Sequence, residues 1–346
     1  MTTKMPVSSV IDGSPLDGVD LVLADLDGVI YKGADAIPFA VDSINNVVEA
    51  GIRVGYITNN ASRTAASVGE HLTGLGLQVA ASDVITSPQA AMKLLVDLVP
   101  AGSTILVVGG EGITFELEKA GFVVTRSALD APAAVVQGFA PEVGWAQLAE
   151  ASFALHRDAD GAGIPWVATN TDWTIPVARG IAPGNGTLVS AVHTAAGILP
   201  VVAGKPETPM FEVAIERFGA TKTIVIGDRL DTDILGANNA GLESVLVLTG
   251  IDQAKQVLAA AKEQRPTWIV DDLRQLHEPY PATLTETKDD VETTTVGAAI
   301  VRRDGENLTV VSAGEKPIDL LRAGAAAIWN SGRAIYGLRV PAELYS

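Results

Sequence analysis

A largely apolar run at residues 19–24 is followed directly by Asp25, Asp27 and Gly28. A run of this length and composition predicts a buried strand of a parallel sheet, so both carboxylates come out near its carboxyl end. In open α/β sheets, ligands bind at that edge. Aspartate is also common at turns, so this segment alone favours a turn, and other segments must decide between a turn and a reactive site.

Strand and helix patterns alternate after this first run. Pro38 can open a helix whose apolar residues recur at helical spacing up to Gly51, and residues 52–57 predict a second strand. The same alternation of predicted strands and helices returns from residue 201, with strands predicted at 223–226 and 244–248. Alternation of this kind predicts a doubly wound, Rossmann-like α/β fold with a parallel sheet.

The middle of the chain has a different pattern of predicted elements, with strands at 104–108 and 133–137 and a helix at 145–155. We therefore expect a core of residues 15–81 and 187–280, with an inserted α/β cap domain at 82–186. Residues 284–295 are polar and predict a linker. Residues 296–346 predict a small α+β C-terminal module that contains a hairpin, a helix at 318–330 and a last strand at 333–338.

The 346 residues carry a net charge of −17 and include no cysteine. The charge works against binding nucleic acid or an anionic membrane surface. A phosphate ester remains compatible if a metal cation and local donors reverse the sign inside the site. Because no secretory signal and no apolar run of about 20 residues is found, we expect a cytoplasmic protein that does not enter a membrane.

Two polar segments stand where predicted strands end. Thr58-Asn59-Asn60 offers hydroxyl, amide and backbone N–H groups that suit phosphate oxygens, although an Asx-turn explains the asparagines equally well. Gly204-Lys205-Pro206 precedes a predicted helix, and its lysine could neutralise clustered carboxylates. Arg63 could reach a substrate, but we interpret it as a solvent-exposed residue at a helix start.

A further acidic segment, Gly227-Asp228-Arg229-Leu230-Asp231-Thr232-Asp233, follows the strand predicted at 223–226. It places Asp228 at a strand end, with Asp233 close behind. Oxygen ligands that converge from different strands are what Mg²⁺ requires. Asp231 or Thr232 is also a suitable N-cap for the helix predicted at 234–240.

Together these segments resemble the four motifs of the haloacid dehalogenase superfamily, in the same order. The residues that carry the resemblance are Asp25-Leu26-Asp27-Gly28-Val29, Thr58-Asn59-Asn60, Gly204-Lys205-Pro206 and Gly227-Asp228-Arg229-Leu230-Asp231-Thr232-Asp233. The inserted domain and the fourth motif resemble the subfamily of 4-nitrophenylphosphatases, phosphoglycolate phosphatases and glycerol 3-phosphate phosphatases. The likeness covers about residues 15–275. The remaining module faintly resembles a fragment of an acetyltransferase-type fold, without a convincing acyl-CoA loop.

The resemblance implies a reaction centre at the first and fourth motifs. Asp25 would attack phosphorus and form an aspartyl-phosphate, and Asp27 would protonate the leaving group and then accept a proton from water. Mg²⁺ would be held by the Asp25 carboxylate, the Asp27 backbone carbonyl and Asp228. Asp233 would lie behind these ligands or bind the cation through water.

The resemblance also implies substrate contacts. Thr58 and Asn59 would bind the phosphoryl oxygens with help from the backbone of Asn60, and Lys205 would stabilise charge on the nucleophile and the phosphoryl group. The inserted domain would cover the site and help to choose the leaving group. Its candidate lid residues are Asn170, Asp172 and the loop Pro183-Gly184-Asn185-Gly186, although a structural loop is the favoured interpretation of each.

These expectations describe a Mg²⁺-dependent phosphatase for a small-molecule phosphate ester, with glycerol 3-phosphate or phosphoglycolate as first candidates. A nucleotide or pyridoxal phosphate phosphatase, a non-catalytic phosphate-ligand sensor and a haloacid dehalogenase remain alternatives. The dehalogenase needs no Mg²⁺, so the pair Asp27 and Asp228 counts against it. The segment Gly109-Gly110-Glu111-Gly112 lacks the spacing of a nucleotide-binding loop. A homo-oligomer is compatible with the sequence, which does not specify one.

Overall fold

The structure is a computed structural model that describes residues 13–156, 163–177 and 179–345. The first part of the chain forms β1 (Leu21–Ala24), β2 (Tyr31–Lys32), β3 (Asp35–Ala36), α1 (Ala40–Glu49), β4 (Arg53–Thr58), α2 (Ala65–Gly74), β5 (Val84–Thr86) and α3 (Ser87–Leu98). The middle part forms β6 (Thr104–Val108), α4 (Glu111–Lys119), β7 (Val123–Thr125), β8 (Ala134–Gln137), α5 (Trp145–Ala154), β9 (Trp166–Ala168), β10 (Thr174–Val177), β11 (Gly180–Pro183), α6 (Asn185–Ala196) and β12 (Val201–Val202).

The chain then continues through α7 (Pro209–Phe218), β13 (Thr223–Gly227), α8 (Leu235–Asn239), β14 (Glu243–Val247), α9 (Ala254–Ala259) and β15 (Trp268–Val270). The last part forms β16 (Thr283–Lys288), β17 (Val291–Val296), β18 (Ala299–Asp304), β19 (Asn307–Ala313) and α10 (Pro317–Asn330). Within the described ranges, no helix combines the length and the apolar character needed to cross a membrane.

The core is a six-stranded sheet in the order β15-β14-β13-β1-β4-β5, and every neighbouring pair is parallel. Successive residues of β1 point to opposite faces, so Val22 and Ala24 join one apolar cluster while Leu21 and Leu23 join another. Helices α1 and α2 cover the first face, and α3 and α7 cover the second. The predicted doubly wound core is confirmed, and the direction of its connections reverses between β1 and β13.

A second parallel sheet, in the order β12-β9-β8-β6-β7, forms the inserted cap together with the hairpin β10-β11. Its strand pairings differ from the predicted borders of the insert, 82–186. Strand β5 pairs with β4 of the core sheet, and β12 pairs with β9 of the cap sheet. The insert therefore lies between the end of α3 and the end of β12. Strands of two or three residues are too short for their pattern to show which sheet they join.

The C-terminal module is an antiparallel sheet, β16-β17-β18-β19, with α10 packed on one face. The predicted linker at 284–295 is wrong, because this segment forms β16 and β17 around a turn at Asp289 and Asp290, both with positive φ. Its threonines favour strands, but they are polar on both faces and so hide the alternation. The predicted strand at 333–338 is also wrong, since a short 3₁₀ turn, Ile335–Gly337, stands there.

The module shares its apolar core with the edge of the core sheet. Leu246 of β14 and Ile269 of β15 belong to the same buried cluster as Ile318 and Leu321 of α10. The guanidinium of Arg322 donates to the Ile269 carbonyl from Nε (3.0 Å) and from a terminal nitrogen (2.6 Å). The module is therefore packed against the core sheet rather than tethered beside it.

Candidate active site

The site begins at the carboxyl ends of the two central core strands. Asp25 follows β1 and Asp228 follows β13, and both side chains are buried. The backbone N–H of Asp25 donates to Ile226 at 2.8 Å, which continues the parallel ladder to the first aspartate. Gly28 has φ +86, and a Cβ there would crowd the Asp228 carboxylate and lie 3.1 Å from Gly250 Cα. The glycine therefore lets the first motif turn close beside the fourth.

A buried lysine connects the carboxylates of this edge. Lys205 Nζ lies 2.5 Å from Asp25 Oδ1 and 2.6 Å from Asp233 Oδ1. One carboxylate oxygen from each of Asp25, Asp228 and Asp233 falls within 4.8 Å of the others. The structure thus brings together four side chains that are up to 208 residues apart in the chain.

The oxygens of these carboxylates have different partners. Both oxygens of Asp233 are engaged, Oδ1 by Lys205 and Oδ2 by the N–H of Arg229 at 3.1 Å. Asp228 accepts from the Ile251 N–H through Oδ2 (2.7 Å), and Asp25 accepts from Lys205 through Oδ1. Among the contacts of the described residues, Oδ2 of Asp25 and Oδ1 of Asp228 remain for a cation. A pair of carboxylate oxygens of this kind fits Mg²⁺.

Burial and mutual repulsion shift the pKa values of the clustered side chains. Burial raises the pKa of Asp25 well above its ordinary value; Lys205 opposes this, while Asp233 and Asp228 add to it. Burial and the Asp233 charge raise the pKa of Asp228 to about 7. Burial works to lower the pKa of Lys205, but Asp233 and Asp25 outweigh it and raise that pKa. One lysine therefore faces more negative charge than it can neutralise, which favours binding of a cation.

Asp27 stands apart from this buried cluster. Its side chain is exposed, yet the surrounding protein desolvates it and raises its pKa, which Lys205, Arg63 and His71 partly offset. A carboxyl group with a raised pKa holds its proton more firmly, which suits a proton donor. Arg63 is exposed, as predicted, and close enough to act on the charge of Asp27.

The second motif is only partly available to a substrate. Thr58 is buried at the end of β4, and its Oγ1 accepts from the Asn60 N–H at 3.1 Å. Asn60 Oδ1 accepts from the N–H and the hydroxyl of Ser62, which is the Asx-turn alternative. The Asn59 side chain instead bonds to the backbone of Lys205 and to the cap residue Asp172. The expected contact between the Asn59 amide and phosphoryl oxygens therefore does not fit its position.

The lid candidates lie where the cap meets the core. Asn170 Nδ2 donates to the Asn59 carbonyl at 2.7 Å, and Asn185 Nδ2 donates to the Asn170 carbonyl at 2.7 Å. Asp172 accepts from Asn59, and burial raises its pKa. Gly112 lies in the first turn of α4, and a Cβ there would lie 2.5 Å from the Arg63 carbonyl, so this glycine lets the cap approach the core loop closely.

Some contacts of the site were not predicted from the sequence. Arg229 forms a bidentate pair with Asp231 (3.0 and 2.8 Å), so Asp231 is not the N-cap that we expected, and Thr232 caps no helix either. Residues 230–234 form one π-helical turn without a side-chain cap. The Ile251 N–H that holds Asp228 comes from the loop after β14, and the position of that loop at a strand end was the available signal.

The fold and the comparison with known proteins define the class of protein. A model for haloacid dehalogenase-like hydrolases matches residues 22–123, and a related HAD-hydrolase-like model matches residues 202–276. The chain is also 39% identical to the D-glycerol 3-phosphate phosphatase of Mycobacterium tuberculosis over 91% of this chain and 87% of that protein. The chain belongs to the haloacid dehalogenase-like hydrolase family.

Individual relatives agree with this assignment. The glycerol-3-phosphate phosphatase of Gallus gallus is 36% identical over 70% of this chain and 83% of its own length. The crystal structure of glycerol phosphate phosphatase Rv1692 from Mycobacterium tuberculosis in complex with magnesium matches with a TM-score of 0.80 at 37% identity, covering 93% of each chain. The 4-nitrophenylphosphatase from Thermotoga maritima matches with a TM-score of 0.70 at 27% identity, over 76% of this chain and 98% of that one.

Proposed function

We propose that this chain is a Mg²⁺-dependent phosphatase that hydrolyses a small phosphate monoester through an aspartyl-phosphate intermediate. The observation that carries the proposal is the position of Asp25 at the point where the sheet connections reverse. There one carboxylate oxygen bonds to Lys205, and the other remains for chemistry or for a cation. Glycerol 3-phosphate is the first candidate substrate, because two of the relatives that match most of their own length are glycerol 3-phosphate phosphatases.

The first half of the proposed reaction transfers the phosphoryl group to Asp25. A carboxylate oxygen of Asp25 forms a bond to phosphorus while the bond from phosphorus to the alkoxide oxygen breaks, and Asp27 gives its proton to that oxygen. The raised pKa of Asp27 supports this role, because the carboxyl group must be protonated at that moment. Lys205 balances charge on Asp25 and on the phosphoryl oxygens, and Thr58 can donate its hydroxyl proton to one of them.

In the second half, Asp27, now ionised, accepts a proton from a water molecule whose oxygen attacks phosphorus. The bond between phosphorus and Asp25 breaks and regenerates the carboxylate. Asp25, Asp228 and the Asp27 backbone carbonyl would hold Mg²⁺, with Asp233 behind them because its oxygens already serve Lys205 and Arg229. When bound, the cation would offset repulsion between the carboxylates and the phosphate.

Two further features belong to the proposal. Absence of cysteine agrees with a cytoplasmic protein, and the net charge of −17 disfavours nucleic acid as a partner. Assembly into a homo-oligomer stays a prediction that sedimentation or light scattering can test.

The test is phosphate release from a panel of phosphorylated metabolites in the presence of Mg²⁺. The panel should include glycerol 3-phosphate, phosphoglycolate, pyridoxal phosphate and nucleoside monophosphates. We expect turnover that ceases in EDTA and returns with excess Mg²⁺, and the highest kcat/KM for glycerol 3-phosphate. Undiminished turnover in metal-free buffer contradicts the metal requirement, and preference for another ester corrects the substrate.

A further inference from the structure

The side chain of Asn59 makes two hydrogen bonds to the backbone of Lys205. Its Oδ1 accepts the Lys205 N–H at 2.9 Å, and its Nδ2 donates to the Lys205 carbonyl at 3.0 Å. A Cβ at Gly204 would lie 2.5 Å from Asn59 Oδ1, so the preceding residue has no room to be larger. The position of the lysine backbone is therefore set by Asn59.

The second N–H of the same amide points to the cap. Asn59 Nδ2 lies 3.1 and 3.3 Å from the two carboxylate oxygens of Asp172, so one N–H serves Lys205 and the other serves the cap. The Asn59 carbonyl receives Asn170 Nδ2 from the cap and Ser87 Oγ from the start of α3. With both of its side-chain amide protons engaged, the Asn59 side chain has no donor left for a phosphoryl oxygen.

We propose that Asn59 and Asp172 form a latch through which the seated cap holds Lys205 in register with Asp25 and Asp233. The inference rests on the proposed phosphatase function and deepens it. Asn59 and Asp172 are positioning residues here, because they act on the reaction through the lysine. Loss of the Asp172 contact loosens the amide, then the Lys205 backbone, and then the bridge from Nζ to the two carboxylates.

The latch differs from a leaving-group contact in what it predicts for different substrates. If Asp172 recognises the leaving group, its loss raises KM for that substrate and leaves a substrate with another leaving group unaffected. If Asp172 holds Lys205 through Asn59, its loss lowers kcat for every phosphate ester by a similar factor.

The experiment compares Asp172→Ala, Asp172→Asn and the matched surface control Asp42→Ala, using p-nitrophenyl phosphate and glycerol 3-phosphate with Mg²⁺. For Asp172→Ala we expect kcat to fall about 10- to 100-fold with both substrates, because a small displacement of a catalytic group is costly. Asp172→Asn keeps an acceptor oxygen and should retain kcat within about fivefold of the wild type. A KM change confined to glycerol 3-phosphate overturns the latch.

A second readout does not need turnover. Hydrogen exchange at the backbone amide of Lys205, the residue before Pro206, should quicken about fivefold or more in Asp172→Ala and much less in Asp172→Asn. Equal protection in all variants overturns the latch, whatever the activity. If the wild type hydrolyses no phosphate ester while the exchange pattern follows this order, the proposed function fails and the coupling between Asp172 and Lys205 stands.

Discussion

The molecule contains two parallel sheets whose carboxyl ends meet, and the two ends carry different chemistry. The core edge presents the buried charges of Asp25, Asp228 and Lys205. The cap edge presents small residues and amides, among them the glycines of residues 109–112 and Asn170. The core edge is built to carry out a reaction, and the cap edge is built to approach it closely.

Catalysis and the choice of leaving group have different structural requirements, which one surface cannot easily meet. Reactive carboxylates need burial beside a fixed cation, and such a cluster tolerates little change in its neighbours. The choice of leaving group needs a surface that can vary, and loops beyond strand ends supply it. Cap residues outside the contacts that Asn170 and Asp172 make with Asn59 can therefore change without disturbing the charges of the core edge.

The largest expected effect is at the core edge, in the variant Asp25→Asn. An amide oxygen is a poor nucleophile, so kcat should fall by about 10⁴-fold or more with every phosphate ester. Burial of the neutral amide costs less than burial of the carboxylate, so the fold should survive. Phosphate release and the circular dichroism spectrum are the measurements.

The control for this variant is Asp42→Asn, the same substitution on the exposed side of α1. It should retain wild-type turnover. If Asp25→Asn is as active as the wild type, the core edge is not the reactive site and the proposed mechanism is wrong.

Sequence patterns predicted the core edge because each of its groups follows an apolar run. The runs before Asp25, Thr58 and Asp228 are buried strands β1, β4 and β13, and parallel strands end at a common edge. What the pattern does not contain is the partner of each polar atom. Asn59 stands in the same motif as Thr58, yet its side-chain amide bonds to the Lys205 backbone and to the cap residue Asp172. Such a choice depends on contacts 113 and 146 residues away along the chain.

An intermediate effect is expected at the cap edge, in the variant Gly112→Ala. The new methyl group would lie 2.5 Å from the Arg63 carbonyl and 2.6 Å from the Ala61 carbonyl, so the cap must move away from the core loop. We expect kcat/KM to fall about 10- to 100-fold, because the cap is displaced from the site while the Asp25 nucleophile remains. Steady-state kinetics with glycerol 3-phosphate and p-nitrophenyl phosphate measure this.

Gly74→Ala is the matched control, since a Cβ at this glycine at the end of α2 meets no atom of the described residues within 4 Å. It should leave kinetics unchanged and stabilise α2 slightly. If both glycine variants behave alike, the close approach of the two edges has no part in catalysis.

Short and polar elements were the parts of the fold that the sequence predicted wrongly. In β17 threonines stand on both faces, and in β16 the threonines of one face alternate with Leu284 and two charged residues, so no clear apolar alternation separates an inner face from an outer one. Strand β12 has two residues, and its partner β9 lies in the other sheet from the one that its position in the chain suggests. In both places, pairing with neighbouring strands determines the structure more than local composition does.

The smallest expected effect is a dependence of stability on pH in the metal-free protein. In the folded state the pKa of Asp228 is raised to about 7 from an ordinary value of 3.8, and burial raises the pKa values of Asp25, Asp27 and Asp172 as well. Between about pH 4 and about pH 7 the folded protein therefore binds more protons than the unfolded chain. Its free energy of unfolding must fall as the pH rises through that interval.

Thermal unfolding in EDTA should show this as a Tm that decreases by roughly 5 °C over the interval. Saturating Mg²⁺ should reduce the decrease, because the cation binds the ionised carboxylates. The comparison between the two edges sharpens the test: Asp228→Asn at the core edge should flatten the pH dependence, whereas Asp172→Asn at the cap edge should change it less. If neither variant changes the slope of Tm against pH, the responsible groups lie elsewhere in the molecule. The charges of the core edge then do not determine how stability depends on pH.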